Sequence, residues 1–251
     1  MYLDRKAICS AGAFRKIILM MKNEEVHSEV LDLIKSKSSL KRDIFELTVQ
    51  RFADLKEELA IIAEELRLDV AEADPRLEVS FKDLGKFYCQ LTIAGDTLLF
   101  HMHTNVFKFA KDSYYWKSGY LQEDERRGFC GTIQVYNFLA DSFRFNRERD
   151  IGYMVARLFL NHENHFFVEG KNELRYMFND FVNSKLTKKC MRKIVYEVIK
   201  GSLEFDLFSP NYRDIDEITV HDARVLKDVI SLKTGKRLGF QFGLDPNVIQ
   251  S

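Results

Sequence analysis

The chain reads as an α+β protein, an antiparallel sheet of five to seven strands with N-terminal and C-terminal helices packed on one face. Two changes of period predict this. Up to Ala73 the apolar residues recur at helical spacing; from Leu77 to Phe109 they alternate with polar ones; after Gly170 the helical spacing returns. The expected organisation is a helical N-terminal region, 1–75, followed by 76–251 with the sheet and the C-terminal helices. One continuous domain is the alternative.

The strongest helix runs from about Ser39 to Ala73. Phe45, Thr48, Phe52, Leu55, Leu59, Ile62 and Leu66 form an a/d stripe, and Glu57, Glu58, Glu64 and Glu65 lie off it. The polar run Lys35–Lys41 separates this helix from an earlier one, Glu24–Ile34. The stripe is expected to lie against the chain's own sheet or a helical partner within it; the alternative is the seam of a homodimer formed through the N-terminal helices. Pro75 lacks an N–H and disfavours helical geometry at Asp74, so the helix ends there.

Phe87, Cys89, Leu91 and Ile93 alternate with polar neighbours. Gly95-Asp96 is expected to form a two-residue turn, with Gly95 at positive φ, pairing Ile93 with Leu98, Leu91 with Phe100 and Cys89 with Met102. The opposite face then carries Tyr88, Gln90, Thr92, Leu99, His101 and His103. Residues 110–131 make a connection long enough to carry structure or function of its own. Strands follow at Thr132–Leu139, Gly152–Asn161 and His165–Gly170. Helices are expected at Asn172–Asn183, Thr187–Lys200 and Thr219–Leu232, with a last short strand in Lys236–Leu244.

Lys+Arg and Asp+Glu both number 38, so the chain has none of the basic excess of a bulk nucleic-acid binder. Its 4 cysteines are too scattered for a CxxC site, and the 3 prolines and 12 glycines argue against long linkers. The apolar run between Lys16 and Lys22 is far short of the roughly 20 residues a membrane span needs, and it is not flanked as a signal peptide. The expectation is a reduced, cytoplasmic protein that does not enter a membrane.

The segment with chemical promise is Glu169-Gly170-Lys171 at a strand end, with Asp150 at the start of the partner strand. A carboxylate at one strand end with Glu-x-Lys on its neighbour can hold Mg²⁺ and orient a water. Asp150, Glu169 and Lys171 resemble the D…E-x-K pattern of restriction-endonuclease-like nucleases, which implies Mg²⁺-dependent hydrolysis. The stretch VEGKNE also looks like the opening motif of Toprim domains. Their later Asp-x-Asp follows an apolar strand, whereas Asp214-Ile215-Asp216 follows SPNYR.

A structural reading competes. A loop His162-Glu163-Asn164, with Asn164 in the left-handed region, pairs Leu160 with Phe166 and Leu158 with Val168. Met154 continues the buried face, and Arg157 faces Glu169 as a cross-strand ion pair. His101 and His103, two apart on one strand face, have the spacing of a metal chelate. With Tyr88 beside them, they read instead as ligand-contacting residues. His162 at the loop tip reads as solvated. Lys185, Lys188, Lys189, Arg192 and Lys193 form a basic run at a helix start, of which Lys185, Lys188, Lys189 and Arg192 share a face if the helix begins slightly early; that face is expected to be solvated rather than phosphate-binding. There is no G-x-S-x-G, G-x-G-x-x-G or Walker A loop.

The function expected is therefore a non-catalytic binding or regulatory protein without a cofactor, its partner a protein or small molecule. The alternative is the Mg²⁺-dependent nuclease.

Overall fold

The computed structural model describes residues 24–148, 150–170, 174–206 and 220. The long helix α1 (Ser39–Ala73) crosses one face of an antiparallel sheet. The strands are β1 (Val79–Asp83), β2 (Tyr88–Ile93), β3 (Asp96–Met102), β4 (Phe107–Lys108), β5 (Phe129–Leu139), β6 (Tyr153–Leu160) and β7 (Phe166–Gly170). They form a meander in the order β1-β2-β3-β5-β6-β7, with β4 pairing further along β5. The short helices α2 (Gly119–Glu123), α3 (Ala140–Arg144) and α4 (Leu174–Met177) sit in connections, and α5 (Lys188–Leu203) lies beside α1. This is the α+β arrangement the two periods predict.

The a/d stripe is used within the chain. Thr48, Phe52, Leu55, Leu59 and Ile62 are buried in one core with Leu91, Phe100, Ile133, Leu158 and Val168 of the sheet and Ile194, Val195 and Val198 of α5. The stripe is thus spent largely on the chain's own core, which α1 shares with the sheet. Three of the four acidic residues off the stripe meet the basic run of α5, while Glu64 pairs with Arg67 of its own helix. Lys188 Nζ lies 2.6 Å from Glu57, and Arg192 pairs with Glu58 and Glu65. Two members of that basic face thus lace α5 to α1.

The expected break at Lys35–Lys41 is a change of helix type. Residues 24–33 are helical, Ile34–Ser38 form a π-helical turn, and α1 continues from it. Nothing in KSKSSLK lacks an N–H, so the backbone ladder persists, and Ser36 Oγ donates to the Asp32 carbonyl at 2.6 Å. The far end behaves as Pro75 dictates: Asp74 is extended, at φ −153°.

The β2–β3 register differs from expectation by two residues. Ile93 pairs with Asp96, Leu91 with Leu98 and Cys89 with Phe100, so the turn is Ala94-Gly95. Ala94 carries the positive φ, 50°. The neighbours decide this: Ala94 N–H donates to Glu78 O at 2.7 Å, and Gly95 O accepts from Ala140 N–H at 2.9 Å. A shift of two leaves every side chain on its expected face.

The β6–β7 hairpin follows the sequence reading: Leu160 pairs with Phe166, Leu158 with Val168 and Arg157 with Glu169, and Asn164 sits at φ 63°. Met154 does not continue the buried face. A bulge pairs Val135 with Ala156 but Tyr136 with Met154, so Val155 joins the core instead.

Of the helix expected at Asn172–Asn183, the described part is α4 alone. Phe178 O and Ser184 O accept from Val168 N–H and Phe166 N–H at 2.9 and 3.0 Å, and Leu186 N–H donates to Asn164 O. The segment therefore covers the outer edge of β7, a stronger demand than local helix propensity. The elements expected at Thr219–Leu232 and Lys236–Leu244, and Asp214 and Asp216, lie outside the described residues, Val220 excepted. Cys89, Cys130 and Cys190 are free. No helix among the described residues is long and apolar enough to cross a membrane.

Candidate functional site: the open face of the sheet

Helices α1 and α5 cover the face that carries Leu91, Phe100 and Leu158. The opposite face is covered at one end by the connection 109–128. There Leu121, Cys130, Phe159, Phe167 and Phe181 form a second core, with Phe109, Tyr115, Trp116 and Tyr120 packed on it. The long connection thus carries structure of its own.

Beside this lid, the register lines up one side chain from each of five strands. Tyr88 pairs with His101, His101 with Gln134, Gln134 with Arg157 and Arg157 with Glu169. All of them project on the face away from α1, because strand residues alternate in direction. Tyr88 stacks on His101, with centroids 4.6 Å apart and planes 6° off parallel. His101 Nδ1 is 3.2 Å from Gln134 Oε1, which fixes Nδ1 as the protonated nitrogen when Gln134 accepts. Burial pushes the His101 imidazole below its usual range; the Gln134 bond opposes this and His103 reinforces it.

At the far end of the row, Arg157 Nε and Nη2 donate to Glu169 Oε2 at 2.9 and 2.5 Å, and Tyr115 OH donates to Oε1 at 2.9 Å. Both Glu169 oxygens therefore have partners. Tyr115 reaches it from the lid, packed on Phe167 at 4.6 Å. Gln134 and Tyr115 were not singled out from sequence. The strand register, had it been carried across all five strands, points to Gln134; nothing local points to Tyr115, which is 54 residues from Glu169.

The ring chain continues past the row. His101 lies 5.9 Å from His103, and His103 lies edge-on to Phe107 at 4.7 Å. Asn105 N–H donates to His103 Nδ1 at 3.0 Å. The outer rings, Tyr88 and Phe107, are each 43% exposed. The three residues named for ligand contact, Tyr88, His101 and His103, are thus brought together.

The carboxylates named for the nuclease are not. Asp150 accepts from Ser142 Oγ at 2.7 Å in the connection before β6. Glu169 pairs with Arg157, four residues into that strand, so roughly 13 Å of strand separate Arg157 from Tyr153 alone. Lys171 lies outside the described residues. Among the described residues no group of His, Cys, Asp and Glu is placed to hold a metal ion.

His162 is not solvated in the manner expected. Burial pushes its imidazole down; Glu163 and Asp124 oppose this, and Arg126 and Arg127 reinforce it. It borders a network at the hairpin tip. Tyr120 OH donates to Glu163 Oε2 at 2.6 Å, Asn161 Nδ2 donates to Tyr120 Oη at 2.8 Å, and Arg127 Nε donates to Glu163 Oε1 at 3.1 Å. Burial, then the bond to Glu163, raises the Tyr120 hydroxyl above its usual range. These bonds pin the 109–128 lid to the β6–β7 tip.

No protein-family model matches the chain, and no curated protein or solved structure matches it.

Proposed function

We propose that this is a non-catalytic binding protein whose open sheet face takes a planar, hydrogen-bonding group of its partner. The observation that carries this is the chain of four rings Tyr88, His101, His103 and Phe107, whose two outer rings are half-exposed while the inner ones are held in place. Rings offer large contact area at low conformational cost. Burial lowers the proton affinity of the His101 imidazole, and when Gln134 accepts from Nδ1 the ring offers a hydrogen-bond acceptor at Nε2. The Arg157–Glu169 pair balances the charge along the row, which favours a neutral contacting group over a phosphate.

The test is an NMR titration of the full chain with adenosine, indole, benzamide and a short aromatic peptide. At least one probe is expected to perturb the resonances of Tyr88, His101, His103 and Phe107, and Tyr88→Ala should weaken it about tenfold, the loss of a stacking contact worth 1–3 kcal/mol. No perturbation at these residues, or affinity unchanged in Tyr88→Ala and His101→Ala, overturns the reading. So does cleavage of DNA or RNA with Mg²⁺ or Mn²⁺ that Glu169→Ala abolishes with the fold intact, which is the nuclease alternative at Asp150, Glu169 and Lys171.

A further inference from the structure

The helix begins well before it meets the sheet. Residues 24–33 are all exposed, and the first buried residue along the helix is Ile44. Yet this arm is not polar all round. Val26, Val30, Leu33 and Ile34 are 57%, 47%, 57% and 53% exposed, and Leu31 lies beside them. At 3.6 residues per turn the five fall within an arc of roughly 160°, the width of a face that packs. The π-helical turn Ile34–Ser38 adds about one residue to the local turn, so it rotates this stripe by roughly a quarter-turn from the stripe that α1 lays on the sheet.

Charge on the arm is sorted into two blocks. Glu24, Glu25, Glu29 and Asp32 precede Leu33; Lys35, Lys37, Lys41 and Arg42 follow it. The helix dipole accounts for acidic residues near a helix start. It does not account for a basic block far from the helix end at Ala73. Among the described residues, the first ion pair along the helix is Arg42–Glu46, so the block Glu24–Asp32 has no partner in its own chain there.

We propose that the arm is a dimerisation element in which residues 24–42 of two copies pair antiparallel across Leu33. A parallel pair would set acidic block against acidic block and basic against basic. The antiparallel pair sets each acidic block against a basic one. With Leu33 at the two-fold axis, Glu29 meets the partner's Lys37, and Glu25 meets the partner's Lys41. The contact is isologous and closes on itself, so it stops at a dimer. It leaves the Tyr88–Glu169 row on each copy untouched and is independent of the function proposed for that row.

Sedimentation equilibrium of the full chain at micromolar concentration should give twice the chain mass of 29.5 kDa. Leu33→Asp should give the monomer with helix content unchanged. Glu29→Lys or Lys37→Glu alone should raise the dissociation constant several-fold, and the two together in one chain should restore it, because the exchange regenerates both cross-pairs. A wild-type monomer overturns the proposal. A double variant no tighter than either single one overturns the antiparallel pairing.

Discussion

The side chain of Thr48 on α1 occupies the space that a β-carbon on Gly131 of β5 would need: such a carbon would lie 2.1 Å from Thr48 Oγ1 and 3.0 Å from its Cβ. Thr48 is fully buried there, its hydroxyl turned back to the Ile44 carbonyl at 2.6 Å. This contact sets how closely the helix approaches the sheet. Gly131→Ala should therefore wedge α1 outward and cost about 1–3 kcal/mol, as overpacking does. Thr48→Ala in the same chain should recover part of that loss, a non-additivity that urea unfolding of the single and double variants reads directly.

The β2–β3 turn gives a second test. Ala94 holds φ 50°, which costs an L-residue roughly 1–2 kcal/mol, whereas Gly95 is not in the left-handed region and has open space around its α-carbon. Ala94→Gly should stabilise by up to about 1 kcal/mol, the relief of strain being offset in part by added freedom of the unfolded chain. Gly95→Ala should be tolerated. Strong destabilisation by Gly95→Ala would instead indicate the turn at Gly95-Asp96.

At the open face, Arg157 and Glu169 are each about two-fifths exposed, so water screens their attraction. Arg157→Ala should lower stability by only about 0.2–1 kcal/mol. Tyr115→Phe removes the bond that ties Glu169 to the lid. Amide hydrogen exchange in 109–128 should quicken in that variant, with strand protection in β5 and β6 unchanged.

Acid should weaken the fold before the carboxylates titrate. Burial holds His101 and His162 below the ordinary histidine value of 6.5. Each therefore binds a proton less readily folded than unfolded. Their contribution is complete above pH 6.5, the unfolded value, and is lost as pH falls through it towards the folded pKa. The thermal midpoint should fall between about pH 7.5 and pH 5.5, and His101→Gln with His162→Gln should flatten that slope. An unchanged slope in the double variant would place the titration elsewhere.

Local spacing was enough for the elements whose neighbours impose nothing further. The Phe45–Leu66 stripe, Pro75, the alternation around Cys89 and the three-residue loop ending at Asn164 each carry their own steric or periodic requirement, and each appears where the sequence puts it. Glu169 facing Arg157 follows from that loop alone. The break expected at Lys35–Lys41 failed for a local reason, since no residue there lacks an N–H; three other readings failed where a distant partner outbid the local preference. Glu78 and the start of α3 moved the β2–β3 turn, the bulge at Val155 turned Met154 outward, and the bare edge of β7 drew 178–183 out of a helix.

The candidate site divides in the same way. Tyr88, His101 and His103 were legible because a strand alternates, so sharing a face needs only a count of residues. Their alignment with Gln134, Arg157 and Glu169 was not, because it depends on pairing across β2, β3, β5, β6 and β7. The same holds for Tyr115 over Glu169 and for Arg192 against Glu58 and Glu65, 127 residues apart in the last case. The sequence by itself determined the class of fold, the strand faces and the hairpin that holds Glu169. The tertiary structure alone decided which face stays open and what stands beside each polar group, since spacing along a chain specifies direction but not the company that folding brings to it.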